Sequence, residues 1–314
     1  MRGGRKKHLC LFFMLTLAIH AAFPQTADEY LNIGERYILA RRFHEARSAV
    51  EEAIRLNPNH ALSYLRLGVI YFNLNESALA LESFSRTIEL DNTFAEAYYS
   101  RATIYAGLLN DHAQALSDYN MAVYLEPENV KYRISRGNFL VVAGDPISAL
   151  IDFNRAVEID PLNDINFQQR GNFYTMHGRY EMALDDFNAA IRLNSENAKN
   201  FSNKAITLFL LERYEEAVEN FTIVLRLDSN DYEAYSARGY AYFRLGMYNE
   251  AVLDFTEVIR IKPNSGDYRD AYANRAVIYW LLAEQTGDPV EAEYYRDKAQ
   301  MDESIVNRLD SQNE

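Results

Sequence analysis

The feature that most constrains this chain is a repeat. A glycine or alanine flanked by bulky groups returns at Gly34, Gly68, Ala102, Gly137, Gly171, Ala205, Gly239 and Ala276, at spacings of 34, 34, 35, 34, 34, 34 and 37 residues. A period near 34 marks one supersecondary unit copied along the chain, and such a unit buries its apolar face only by stacking on its neighbours. Four residues before each marker stands Tyr30, Tyr64, Tyr98, Arg133, Phe167, Phe201, Tyr235 or Tyr272. Three residues after it stands Tyr37, Tyr71, Tyr105, Leu140, Tyr174, Leu208, Tyr242 or Tyr279. Those offsets share one face of a helix. Further along each unit an alanine recurs (Ala46, Ala80, Ala115, Ala149, Ala183, Ala217, Ala251, Ala292), usually followed four residues later by an aromatic such as Phe84, Phe153 or Phe255. The alanine lets a neighbouring helix approach closely, and the aromatic fills the space beside it.

Punctuation agrees with two helices per unit. Pro58, Pro127, Pro161 and Pro263 fall at unit ends, while Pro146 and Pro289 follow Asp145 and Asp288 as first helical residues behind an N-cap. Gly144, Gly178 and Gly246 share one turn position, where a left-handed backbone ends the first helix. No alternating strand pattern competes.

Tyr64, Leu67, Gly68, Tyr71, Ala80 and Phe84 resemble the tetratricopeptide repeat family, whose unit runs aromatic, Leu-Gly, Tyr, Ala, Phe and Pro over about 34 residues. The resemblance implies an all-α fold, an α-solenoid of about eight helix-turn-helix repeats wound into a right-handed superhelix. Its units are 27–60, 61–94, 95–129, 130–163, 164–197, 198–231, 232–265 and 269–302, within an array spanning 26–302. A polar tail over 303–314 is expected to continue the last helix and shield the open end.

Residues 1–25 read differently. Arg2, Arg5, Lys6 and Lys7 precede an apolar run of 11 residues, Leu9 to Ile19, then Ala21, Ala22 and Pro24. This is the order of a secretory signal peptide, and the run is short of the ~20 residues that span a bilayer. Cleavage is expected between Ala21 and Gln25, giving an exported protein of a bacterial periplasm or the exterior, with no integral membrane segment. Cys10, the one cysteine, would leave with the signal, so no disulfide or thiolate metal site is expected.

Chemistry is harder to find. The formal net charge of −13 argues against a nucleic-acid partner. His44, His60, His112 and His177 form no metal-ligand spacing, and no phosphate loop or nucleophile elbow occurs. No catalytic, cofactor or metal residues are assigned.

Two polar rows remain. The residue before the marker is cationic from the third unit on (Arg101, Arg136, Arg170, Lys204, Arg238, Arg275), and the residue before the second-helix aromatic is often acidic (Asp118, Asp152, Asp186, Asp254). Matching each acid to the next unit's cation pairs Asp118 with Arg136, Asp152 with Arg170, Asp186 with Lys204 and Asp254 with Arg275, a half-buried ladder between repeats. Pairing within a unit fits less well, because Arg275 would then face Tyr295, and solvation of both rows is the other alternative. The family resemblance further implies a concave groove lined by first helices, with Ser135, Asn138, Gln168, Gln169, Asn172, Lys199, Ser202 and Asn203 facing inward. Amides and hydroxyls there suit an extended peptide backbone, although they equally describe wet surface.

The expectation is a non-enzymatic scaffold of the exported compartment that binds a protein or peptide in its groove. The alternatives are a brace subunit of an envelope assembly using its outer face and, last, an enzyme. A fusion of residues 1–30 to a reporter active only after export should be active, and the mature chain should start after residue 20. A cytosolic protein retaining Met1 would refute this.

Overall fold

The computed structural model describes residues 26–262 and 266–311, and every regular element among them is helical. The expected signal segment and Pro263 lie outside the described residues. The chain divides into two compact units, Met1–Asp152 and Phe153–Glu314.

The first unit carries α1 (Ala27–Leu39), α2 (Phe43–Leu56), α3 (Ala61–Asn73), α4 (Ser77–Leu90) and α5 (Ala95–Ile104). A π-helical turn (Tyr105–Leu109), α6 (His112–Leu125), α7 (Val130–Val142) and the first half of α8 (Pro146–Ile159) complete it. The second unit continues from α8 through α9 (Asp164–Met176), α10 (Tyr180–Leu193), α11 (Ala198–Leu210) and α12 (Tyr214–Leu227). It ends with α13 (Tyr232–Arg244), α14 (Tyr248–Ile261), α15 (Gly266–Gln285) and α16 (Pro289–Asp310). Consecutive helices form hairpins, one per sequence repeat.

Within a hairpin the two helices meet where the marker glycine faces the second-helix aromatic. A Cβ on Gly68 would lie 2.5 Å from the Phe84 ring, and one on Gly171 2.7 Å from Phe187. Both rings are fully buried, so neither can step aside cheaply. Between hairpins the second helix packs on the next first helix. Leu31, Val50, Leu67 and Ile70 tie α1, α2 and α3 together, and Leu184, Phe201, Phe221 and Val224 join α10, α11 and α12.

The turns inside the hairpins share one device. Gly144, Gly178 and Gly246 take left-handed φ angles of 83°, 68° and 73°, as the sequence requires. Arg41, Asn75, Asn110 and Glu212 occupy the same position with φ of 57°, 61°, 52° and 59°. Asparagine tolerates this geometry, whereas arginine and glutamate bear ~1–2 kcal/mol of steric cost that the packed hairpin overrides. The one-residue excess of the third unit goes into the π-helical turn, an α-helix widened by one residue ahead of Asn110.

Helix starts follow the polar caps. Asn129, Asn163, Asn197 and Asp231 each accept a backbone N–H from the first turn that follows. The last hairpin is the longest. The stretch expected as a tail from residue 303 continues α16 to Asp310, where Arg269 grips it through Nε and Nη2 at 2.8 and 2.9 Å. Trp280 Nε1 donates to Glu303 Oε1 at 2.8 Å, closing α15 onto α16.

The glycine contacts differ in tightness, and this is measurable. Gly68→Ala should lower stability by ~1–3 kcal/mol because its Cβ would overlap a buried ring. Gly239→Ala, whose Cβ would stand 3.2 Å from Phe255, should cost less than half as much. Urea unfolding followed by circular dichroism compares the two, and equal costs would contradict the packing.

Candidate functional site

The acidic second-helix row is buried, so each carboxylate must be paired. Asp118, Asp152, Asp186 and Asp254 are between 0% and 5% exposed. In each case the cation comes from the first helix of the same hairpin. Arg101 Nε and Nη2 donate to Asp118 at 2.7 and 2.9 Å, and Arg136 donates to Asp152 at 2.7 Å through both nitrogens. Arg170 holds Asp186 at 2.9 and 2.7 Å, and Arg238 holds Asp254 at 2.8 Å twice. This planar, two-bond geometry is the strong form of an ion pair. The bonds from Asp118 and Asp186 hold the Arg101 and Arg170 guanidinium groups above their ordinary pKa.

These pairs correct the expected ladder. Asp118 pairs with Arg101 and not Arg136, Asp152 with Arg136, and Asp186 with Arg170 and not Lys204. Asp254 takes Arg238, while Arg275 finds Asp302 on α16, at 2.7 and 2.8 Å. Lys204 forms no ion pair among the described residues. A link between hairpins does exist, through a different atom and a neutral partner. The remaining Nη1 of Arg101 donates to Ser85 on α4 at 3.0 Å, that of Arg136 to Asn120 on α6 at 3.0 Å, and that of Arg170 to Asn154 on α8 at 3.0 Å. Arg238 reaches Thr222 and Arg275 reaches Thr256 in the same way. One guanidinium thus ties its own hairpin together and fastens it to the preceding one. Rings four residues before and three after the marker flank it, as Tyr98 and Tyr105 do around Arg101 at 5.9 and 6.0 Å. In the fourth repeat those rings are absent, and Arg133 brings a second cation to Asp152 at 3.2 Å.

The residues expected to line a groove fall into both units. In the first unit Ser135 and Asn138 lie on α7 beside a cavity of about 430 Å³ that also takes in Tyr99, Thr103, His112 and Phe139. Ser135 Oγ stands 3.4 Å from the Tyr99 hydroxyl. Tyr99 stacks on Tyr132 at 4.9 Å and carries Lys131 above its ring at 4.3 Å. Burial pushes the Tyr132 hydroxyl up to about 12, so it stays neutral.

In the second unit most of the amides bond to each other across successive first helices. Gln168 is 4% exposed and donates to Asn200 Oδ1 at 2.6 Å. Asn200 and Asn197 both donate to Asp164 Oδ2, at 3.0 and 2.8 Å. Asn203 Nδ2 donates to Asn172 Oδ1 at 2.8 Å, and the Thr175 and Thr207 hydroxyls meet at 2.9 Å. Gln168 therefore belongs to the packing of α9 on α11. Asn172 and Asn203 are half-buried, and their pairing leaves Asn172 Nδ2 and Asn203 Oδ1 to solvent. Gln169 and Ser202 are half-buried and Lys199 is exposed.

Sequence reasoning missed Tyr99, Lys131 and the Asp164, Asn197 and Asn200 cluster. It also missed Arg66, which bridges Glu35 on α1 and Glu96 on α5 at 2.9 and 3.1 Å. All lie on or at the caps of first helices, the same elements that carry the expected groove residues. Among the described residues no group of three or more His, Cys, Asp or Glu could hold a metal ion, and no helix is long and apolar enough to cross a membrane.

Comparison with known proteins matches this geometry. Tetratricopeptide repeat profiles match residues 31–93, 95–129 and 232–265, and a TPR repeat profile matches 205–246. Among curated proteins, the wheat (Triticum aestivum) Hsp70-Hsp90 organizing protein is 27% identical over 106 residues, 34% of this chain and 18% of that protein. Human serine/threonine-protein phosphatase 5 is 31% identical over 103 residues, 33% of this chain and 20% of that protein. The match therefore spans about a fifth of these relatives. Among solved structures, YrrB, a TPR protein with an unusual peptide-binding site, is 26% identical with a TM-score of 0.50, covering 60% of this chain and 97% of its own. The C-terminal part of a TPR repeat-containing protein from Cytophaga hutchinsonii shares the fold at a TM-score of 0.63 and 20% identity, covering 75% of this chain and 93% of its own.

The fork geometry makes a definite claim about coupling. Arg101→Ala and Asp118→Ala should each be strongly destabilising, ~3–5 kcal/mol, and should couple by ~1–3 kcal/mol in a double-mutant cycle. Asp118→Ala with Arg136→Ala should be nearly additive. The reverse pattern would restore the ladder between repeats.

Proposed function

Because the chain is built of tetratricopeptide repeats, we propose that it is a non-enzymatic binding protein of the exported compartment that holds an extended segment of a partner along its first helices. The observation that carries this reading is the Asn172 and Asn203 pair. Its internal bond fixes both side chains, and the outward donor and acceptor match the C=O and N–H of a peptide group. Such a site reads backbone and not charge, which fits an extended segment of varied sequence. The described peptide site of YrrB supports the reading, as does the known use of this fold for protein association. Export rests on the order of charged, apolar and small residues from Arg2 to Ala22. The match to the phosphatase covers 20% of that protein, so its name carries no reaction to this chain.

A second reading, a brace that packs through its outer face, is favoured by one feature of the first unit. Ile147 and Ile151 lie one turn apart on α8 and are 77% and 61% exposed.

The two readings separate in a binding experiment. Partner protein captured by the mature chain should bind the Asn172→Ala/Asn203→Ala variant about 5- to 150-fold more weakly, since two neutral hydrogen bonds contribute ~1–3 kcal/mol. Ile147→Ser/Ile151→Ser should leave affinity unchanged. The opposite result would make the protein a brace.

A further inference from the structure

The guanidinium fork is missing from the second hairpin, and a cavity adjoins the place it would take. Leu67 stands where Arg101, Arg136, Arg170, Arg238 and Arg275 stand in their repeats, and Ser83 stands where Asp118, Asp152, Asp186 and Asp254 stand. The flanking rings remain in place, Tyr64 before the marker and Tyr71 after it. In four other hairpins those rings bracket a guanidinium whose carbon lies 5.1 to 6.0 Å from each centroid. Leucine ends too early to reach that position, and the Ser83 hydroxyl turns back to donate to Leu79 O at 2.7 Å.

What remains is a cavity of about 520 Å³ between α3 and α4, whose lining includes Tyr64, Tyr71, Ser83, Glu82, Glu89 and Arg86. Glu82 is exposed and pairs with no cation among the described residues. Arg86 lines the cavity as well, its guanidinium carbon 5.9 Å from the Tyr64 centroid and its charge met by Glu89 at 3.0 Å, so Glu82 is the carboxylate left for a second cation. The cavity thus has two aromatic walls, an unspent carboxylate and room for a planar cation.

We propose that this cavity receives an arginine side chain of a partner protein, seating its guanidinium where the other hairpins seat their own. Arginine is preferred to lysine because a planar, weakly hydrated cation stacks between rings and forks onto carboxylates, whereas an ammonium remains a hydrated point charge. The acidic chain, at −13, draws a basic partner towards it. This site lies on the second hairpin, apart from the Asn172 and Asn203 pair, and does not depend on that pair binding anything.

The test uses the mature chain with carbon-labelled tyrosine, its ring signals assigned through Tyr64→Phe and Tyr71→Phe. Titration with acetyl-arginine-amide should shift the Tyr64 and Tyr71 signals saturably. Acetyl-citrulline-amide, which keeps the shape and loses the charge, should bind at least tenfold more weakly, and acetyl-lysine-amide should also be weaker. Glu82→Gln should reduce arginine affinity at least threefold with helicity unchanged. Leu67→Arg/Ser83→Asp, which supplies an internal fork, should abolish binding and raise the melting temperature. If that variant does not fold, Glu82→Gln decides. Absence of saturation, equal binding of citrulline, an unaffected Glu82→Gln, or undiminished binding by a folded Leu67→Arg/Ser83→Asp would each overturn the proposal. Binding of free L-arginine without acetyl-arginine-amide would replace the partner side chain by a small molecule. Asn172→Ala/Asn203→Ala should leave arginine binding intact, so this proposal and the groove reading fail separately.

Discussion

A carboxylate buried between two helices must be answered by a cation, and in this protein the answer is an arginine with three directed contacts. Nε and Nη2 go to the aspartate of the same hairpin, and Nη1 goes back to a hydroxyl or amide one hairpin earlier. Because the guanidinium is rigid, satisfying the first two bonds leaves only one direction for the third. The angle between successive hairpins within a unit is therefore coupled to the geometry inside each hairpin. Apolar contact alone, which is nondirectional, would not impose this.

The repeat, the hairpins, the left-handed glycine turns and the two charged rows were all legible in the sequence, since each is a matter of periodicity. The pairing was not. Asp118 lies 17 residues after Arg101 and 18 before Arg136, and periodicity gives no reason to prefer one neighbour over the other. Arg275 then argued for the wrong choice, because its own second-helix position holds Tyr295. The structure resolves this through the longer final helix, which brings Asp302 to Arg275. The third repeat was legible only as an extra residue, whose place in a π-helical turn depends on local backbone packing.

The candidate site was half visible. An amide on a first helix is correctly read as polar and inward of the repeat face, but the same residue type serves a ligand or the amide of the next helix. Gln168 and Asn200 satisfy each other inside the stack, while Asn172 and Asn203 do so with groups to spare. Burial decides between these roles, and burial is a property of neighbours 32 residues away. The second hairpin was misjudged for the opposite reason. Tyr64 to Phe84 is the repeat closest to the family pattern, and that likeness says nothing of the fork, which Leu67 and Ser83 omit just as Ile33 and Ala49 omit it in the first repeat.

The contact between Trp280 and Glu303 has an experimental side as well. The chain contains a single tryptophan, and it lies in the closing hairpin. Intrinsic emission selected for indole therefore sees one end of the molecule, while ellipticity averages over all sixteen α-helices described. In a stack whose members contact mainly their neighbours, end and average need not melt together. The gap between the two curves, read without any label, would measure how far cooperativity extends along the chain.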